Sequence, residues 1–246
     1  MAAVSVFPSP GELGAALARS VAEAAAEAVA SGGRFTLGLS GGSLVQLLAR
    51  ELPPALSAVA GSEPSRWLVA FCDERLVPLE HPESTGGAYR AQLLSQLAAP
   101  PQVLWVRSEL GPAEAAREYE GRLRQAFPGE DPPQFDLLLL GVGPDGHTCS
   151  LFPGHALLQE QNSLISHLED SPKPLPRGSS FPFISHYFSH NFPHFLLFFP
   201  HDFPILFLCY FPHYFPLDFS QFPIIFPIIF PLFFLLFFSI TFPIFF

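Results

Sequence analysis

From Phe181 onward the chain has no Lys, Arg, Glu, Ala, Gly or Val, and its only formal charges there are Asp202 and Asp218. Such a stretch lacks the turn-forming glycines and the solvating charges of an ordinary soluble domain. The chain as a whole carries only 12 Lys and Arg against 22 Asp and Glu, a formal charge of -10 that falls mostly before residue 178. That balance argues against a nucleic-acid backbone as partner, because binding one needs clustered Lys and Arg. It leaves open a small anion held by local donors. Three cysteines, Cys72, Cys149 and Cys209, give no CxxC motif and no Cys/His spacing that suggests zinc. Cys72 and Cys149 read as reduced packing residues. The N-terminus has no basic segment followed by a long apolar core, so no signal peptide is expected and the cytoplasm is the default compartment.

Two different polymers share this chain. Residues 1–178 are Ala-, Leu- and Gly-rich, with all the Lys and Arg; residues 179–246 are a Phe/Pro-rich, low-complexity tail. The tail repeats Phe-Pro, as in Phe222-Pro223-Ile224-Ile225-Phe226-Pro227. Prolines at that frequency break helices and remove donors from a sheet. The longest Pro-free run, Leu232 to Phe242, is too short for the roughly 20 residues of a spanning helix, so no specific membrane partner is expected. Phe, Pro, Leu and Ser share pyrimidine-rich codons. The tail therefore reads as disordered, or as translated non-coding sequence, with few contacts to the front part.

The front part reads as an α/β domain. Ser9-Pro10-Gly11-Glu12 fits a capping box, and an Ala-rich helix follows until Ser31-Gly32-Gly33. Strands are expected at 34–39, 67–72, 103–106 and 135–140, and helices from Leu44 to Glu51, after Ser84, and from Pro112 to Phe127. Pro53-Pro54 is expected to break the second helix. This β-α order implies a doubly wound, mostly parallel sheet, Rossmann-like and three-layered.

Three loops follow three of these strands, so all three leave the same carboxyl edge, where open α/β sheets bind ligands. Gly38-Leu39-Ser40-Gly41-Gly42-Ser43 leads into a helix, whose free N–H groups suit a phosphate. It lacks the Lys of a Walker A loop, which favours a small phosphate ester over a nucleotide. Asp73-Glu74-Arg75 offers an arginine fork for a phosphate or carboxylate; the bland alternative is a surface Asp–Arg ion pair. Gly141-Val142-Gly143-Pro144-Asp145-Gly146-His147 places a histidine and an aspartate past an apolar strand. Histidine has an unperturbed pKa of about 6.5, which suits a general base. No G-x-S-x-G elbow is present, which favours activated water over a covalent intermediate.

At Gly38–Ser43, Phe71-Cys72-Asp73-Glu74-Arg75, Glu83-Ser84-Thr85 and Gly143-Pro144-Asp145-Gly146-His147-Thr148-Cys149-Ser150-Leu151-Phe152-Pro153 the chain resembles the 6-phosphogluconolactonase family, in its animal cytosolic form. The likeness runs from about residue 5 to 177. The sister glucosamine-6-phosphate deaminases share the Asp-Gly-His core but typically continue with Asn-Glu-Pro, where Ser150-Leu151-Phe152-Pro153 stands here. The resemblance implies hydrolysis of 6-phospho-D-glucono-1,5-lactone to 6-phosphogluconate, in the oxidative pentose phosphate pathway, without metal or organic cofactor; the sequence does not give the oligomeric state, and a monomer is the expectation. It implies that His147 activates water, that Asp73 lines the pocket as part of the catalytic pair, and that Arg75, Gly41, Gly42 and Ser43 hold the phosphate. Asp145 and Gly146 join the substrate-binding set. The family's further C-terminal third is not recognisable after Gly178, which puts activity of this chain in question. Gly86-Gly87-Ala88 replaces the family's usual Tyr-Gly-Leu and is expected to weaken local order.

Overall fold

The computed structural model describes residues 3–130, 132–143, 146–160, 163–171, 180–182, 195–198 and 206–210. The elements begin with β1 (Ala3–Phe7), α1 (Pro10–Gly32), β2 (Phe35–Leu39), α2 (Ser43–Ala58), β3 (Trp67–Phe71), β4 (Asp73–Arg75) and α3 (Thr85–Gln92). They continue with β5 (Gln102–Val103), α4 (Pro112–Ala126), β6 (Leu137–Gly141), β7 (Ser180–Pro182), β8 (Phe195–Phe198) and β9 (Leu206–Tyr210). The main sheet has the order β1-β9-β8-β6-β2-β3-β5. β8, β6, β2, β3 and β5 run parallel, while β9 is antiparallel to both β8 and β1. The expected doubly wound, three-layer α/β architecture is present.

The alternation of strand side chains explains the layers. In β3, Trp67, Val69 and Phe71 enter a core with Leu13, Leu17 and Val21 of α1, Leu44 and Leu48 of α2, and Tyr89 of α3. Leu68 and Ala70 enter the opposite core with Ala115, Tyr119 and Leu123 of α4. β6 divides likewise, Leu137 and Leu139 to one side and Leu138 and Leu140 to the other. Both faces are covered, so these strands read as continuous apolar runs rather than alternating ones.

Helix α1 begins and ends as its sequence dictates. The Ser9 hydroxyl accepts the Glu12 N–H at 3.2 Å, and Gly33, at φ 78°, donates to the Val29 carbonyl at 3.0 Å. Helix α2 departs from expectation, because it continues through Pro53 and Pro54 to Ala58. Proline at 53 removes the donor that would serve the Ala49 carbonyl. The Gln96 side-chain amide supplies it instead, at 3.1 Å. Leu48, Leu52 and Leu56 lie on one side of α2 against the same core, and that burial holds the helix together.

The strand expected over 103–106 is only Gln102–Val103, and β1 had no clear signal in its short run before Pro8. Asp73-Glu74-Arg75, expected as a loop, is a strand paired with β7 in a separate two-stranded sheet.

The expectation that residues 179–246 carry no regular structure does not hold for three segments, because β7, β8 and β9 all come from the tail. β8 pairs in parallel with β6, Leu138 opposite Phe195. In β8 and β9 the prolines flank the strands: Pro193 and Pro200 bracket β8, and Pro204 and Pro212 bracket β9, while β7 ends on Pro182. A short Pro-free window is enough for four or five ladder positions. The rest of the tail lies outside the described residues.

Candidate active site

β6, β2 and β3 are adjacent and parallel, so their carboxyl ends bring the three loops to one edge. Backbone bonds fasten the exits together. The Ser40 N–H donates to the Leu139 carbonyl at 3.0 Å, and Cys72 N–H donates to Leu39 at 2.7 Å.

The first loop is anchored by Ser40. Its hydroxyl accepts the Gly141 N–H at 3.0 Å, and its carbonyl accepts the Tyr89 hydroxyl at 2.9 Å. Both bonds are made by a buried residue. Gly42, at φ 74° and ψ -146°, sits in a backbone region that other residues rarely adopt and starts α2 without a side-chain cap. The first turn of α2 begins at half-buried Ser43, and its third N–H, that of Val45, turns back to the Gly42 carbonyl at 3.2 Å. Gly41 lies so close to α3 that a Cβ there would stand 2.9 Å from the Thr85 hydroxyl. Gly41, Gly42 and Ser43 thus form a backbone-lined approach to a helix N-terminus, the arrangement that suits an anion.

In β4 the side chains alternate. Glu74 is buried, while Asp73 and Arg75 are both half-buried on the other face. No ion pair joins Asp73 to Arg75 among the described residues, and the Arg75 guanidinium has no acidic partner there. The surface ion-pair alternative for this motif is therefore not what the structure adopts. Glu74 accepts the N–H groups of Arg75 at 2.7 Å, Thr85 at 2.8 Å and Gly86 at 2.6 Å, with the Ser84 hydroxyl at 3.4 Å. Burial pushes its carboxyl up to about 7, against the opposing pull of those three N–H groups, and the neighbouring Asp73 charge pushes in the same direction as burial.

The third loop closes tightly. The Gly143 N–H donates to the His147 carbonyl at 2.8 Å, and Gly146 N–H to the Gly143 carbonyl at 2.9 Å. Gly146 takes φ 83°, which fits its side-chain-free backbone. Asp145 lies outside the described residues. His147 is only 7% exposed, and its ring stacks on Phe152 at 5.1 Å between centroids. The Thr148 hydroxyl donates to the Gly141 carbonyl at 2.9 Å and ties the loop back to its own strand. Cys149 has φ 54° and packs against the core cluster that contains Cys72; the neighbouring Cys72 thiol and burial push its thiol up, as does the Asp73 charge. The second and third loops therefore share one core cluster through these cysteines, both of which are free thiols.

The structure thus gathers Gly41, Gly42, Ser43, Asp73, Arg75, Gly146 and His147 on one edge. A surface pocket of about 510 Å³, lined by His155, Glu160, His167 and Asp170, contains none of them. Among the described residues no group of His, Cys, Asp and Glu could hold a metal ion, and no helix is long and apolar enough to cross a membrane.

The family model for glucosamine-6-phosphate isomerases/6-phosphogluconolactonase matches residues 8–185. The chain belongs to this family. It is 57% identical over 176 residues to human 6-phosphogluconolactonase, covering 71% of this chain and 68% of that one. A probable 6-phosphogluconolactonase of Drosophila melanogaster is 43% identical over 184 residues, covering 73% and 72% of the two chains. The 6-phosphogluconolactonase of Trypanosoma cruzi superposes with a TM-score of 0.62 at 26% identity, over 78% of this chain and 77% of the other. Within the glucosamine-6-phosphate isomerase/6-phosphogluconolactonase family, then, the chain carries the expected three-layer scaffold.

Reading the loops alone missed the residues that hold them. Glu74 looks like a solvated charge in Asp-Glu-Arg, since Glu is almost never fully buried. Tyr89 and Ser40 gave no sign of pairing across 49 positions. The Ser84 cap was legible and is made, with the Gly87 N–H on its hydroxyl at 3.0 Å. Gly86 and Gly87, read from the sequence as a source of weaker local order, lie in close packing. A Cβ at Gly87 would stand 1.8 Å from the Leu79 carbonyl oxygen, and one at Gly86 would stand 2.9 Å from the Glu74 carboxylate. These glycines permit close packing at the start of α3.

Proposed function

We propose that this chain hydrolyses 6-phospho-D-glucono-1,5-lactone to 6-phosphogluconate, the lactone-opening step of the oxidative pentose phosphate pathway, as a cytoplasmic monomer. The observation that carries the reading is the arrival of a buried histidine, an arginine fork and a glycine-lined helix start at one sheet edge in a chain of this family. His147 takes a proton from water as it attacks the lactone carbonyl, and Asp73 lines the pocket beside it. The N–H groups at Gly41, Gly42 and Ser43, with Arg75, bind the distal phosphate; Asp145 and Gly146 join the substrate-binding set. None of these steps calls on a metal or an organic cofactor. The test is acid release from the lactone by the full chain, measured above the uncatalysed rate.

A second reading is an inactive read-through product, favoured by the composition change between residues 178 and 181. In that reading 1–178 is the enzyme-like domain and 179–246 is translated non-coding sequence. Transcript reads that splice elsewhere near Pro176 support it, and activity of the full chain at family-like rates removes it.

Arg75→Ala should raise KM more than it lowers kcat. A phosphate remote from the reacting carbonyl is held about equally in ground and transition states, so its loss weakens binding more than chemistry. Steady-state kinetics decide this. A fall in kcat at constant KM places Arg75 at the carbonyl instead.

A further inference from the structure

A relay of buried polar contacts connects all three loops. Glu74 grips the start of α3 through Thr85 and Gly86. Four residues further along α3, the Tyr89 hydroxyl donates to the Ser40 carbonyl at 2.9 Å. The Ser40 hydroxyl accepts from Gly141, whose carbonyl in turn accepts the Thr148 hydroxyl, one residue from His147. The same grip sets Thr85 against Gly41. Glu74 stands at one end of this relay, between Asp73 and Arg75 in sequence but on the opposite face of β4.

We infer that Glu74 is a positioning residue whose carboxylate sets the geometry between the Asp73/Arg75 strand and the Gly41–Ser43 anion loop. This rests on the lactonase reading above. Every hydrogen-bond partner of its two oxygens is a donor: three backbone N–H groups and one hydroxyl. Such a cradle serves an ionised carboxylate with every partner donating, since the carboxylate accepts at both oxygens and donates at neither. A proton on Oε1 sets one donor against another, and a proton on Oε2 requires the Ser84 hydroxyl to turn and accept. Phe71 and Leu79 close in beside Gly86 and bring no charge.

The neighbouring ionisable groups give the cradle a pH signature. On β4 itself, Asp73 pushes the Glu74 carboxyl up, and Arg75 is next in chain. From α4, Tyr119 faces it with a hydroxyl that burial pushes up and keeps neutral. Tyr89 of α3 and the Cys149 thiol, both pushed up, lie beside Asp73 instead. With an ordinary value of 4.5 raised to about 7, the folded chain favours the protonated form. Its contribution to stability is therefore fully present below about 4.5 and is lost as pH rises through about 7. The positioning role has the opposite sign, since it needs the carboxylate and grows as pH rises through the same window. Stability and activity at this residue pull apart, a pattern common where a strained site serves function.

The experiment compares full-length wild type with Glu74→Gln and Glu74→Asp, measuring kcat/KM for the lactone and thermal stability from pH 6 to 7.5. A small misplacement of binding groups costs much of the rate, so Glu74→Gln should lower kcat/KM at pH 7.5 by roughly tenfold or more. The ratio of wild type to Glu74→Gln should widen from pH 6 to 7.5, while the Gln variant melts no earlier than wild type at pH 7.5. Glu74→Asp, which keeps the charge, should recover part of the loss at pH 7.5. A ratio that stays constant with pH, or a Gln variant within twofold of wild type, overturns the inference. So does an activity loss that merely tracks a lower melting temperature. If wild type itself opens no lactone, the proposed function fails and the inference falls with it, a result distinct from any of these.

Discussion

Replacing His147 with alanine should lower kcat for lactone opening by about 10²–10⁴-fold, the typical contribution of a positioned general base. His147 is the imidazole that the third loop holds at the carboxyl edge, and the loop is built to hold it there. Gly146 takes a left-handed backbone, the His147 carbonyl is bonded to Gly143, and the ring rests on Phe152. These contacts fix the ring before substrate arrives, which is what a proton transfer over hydrogen-bond distance requires. KM should change much less, because the phosphate is assigned to the other two loops. The lactone also opens in water, so the variant's rate is read against a blank at the same pH. Removing the ring leaves a gap beside Phe152, which is 6% exposed, and the melting temperature of the variant separates that packing loss from the chemical one. Turnover near that of wild type removes His147 from the base role.

The sequence displayed the scaffold because strands buried on both faces are apolar throughout, as Leu137-Leu138-Leu139-Leu140 shows. It displayed the loops because Gly42 and Gly146 stand where the backbone turns left-handed. The supporting contacts were not legible. Glu74 takes its meaning from donors ten to twelve residues away, and Tyr89 from a carbonyl 49 residues away. Such pairs have no periodic signature, since only the folded chain brings them together. Pro53-Pro54 was misread for the same reason: the donor that spares the helix is on Gln96. The tail strands were misread because proline frequency was weighed over the whole tail, and β8 and β9 occupy the gaps between prolines.

Gly87→Ala should destabilise the fold by about 3 kcal/mol, the upper end of what forced overpacking usually costs. The new Cβ would lie 1.8 Å from the Leu79 oxygen and 2.9 Å from the Leu79 carbonyl carbon. These are backbone atoms, so no side-chain rotation relieves the clash. Either α3 or the segment before it must shift by more than an ångström. That shift strikes the Ser84 cap, whose hydroxyl accepts the Gly87 N–H at 3.0 Å; loss of such a cap alone costs about 0.5–2 kcal/mol. It also strikes Thr85 and Gly86, which Glu74 grips, so kcat/KM should fall in the fraction that remains folded. Gly121→Ala supplies the contrast. Gly121 lies inside α4, and a Cβ there meets nothing within 4 Å. Alanine has the higher helix propensity, so this change should stabilise by about 0.5–1 kcal/mol. Urea unfolding of both variants beside wild type gives the two signs directly. Equal stabilities for Gly87→Ala and wild type would mean that α3 does not pack against Leu79 as described, and the proposed Glu74 cradle at its N-terminus would lose its geometric basis.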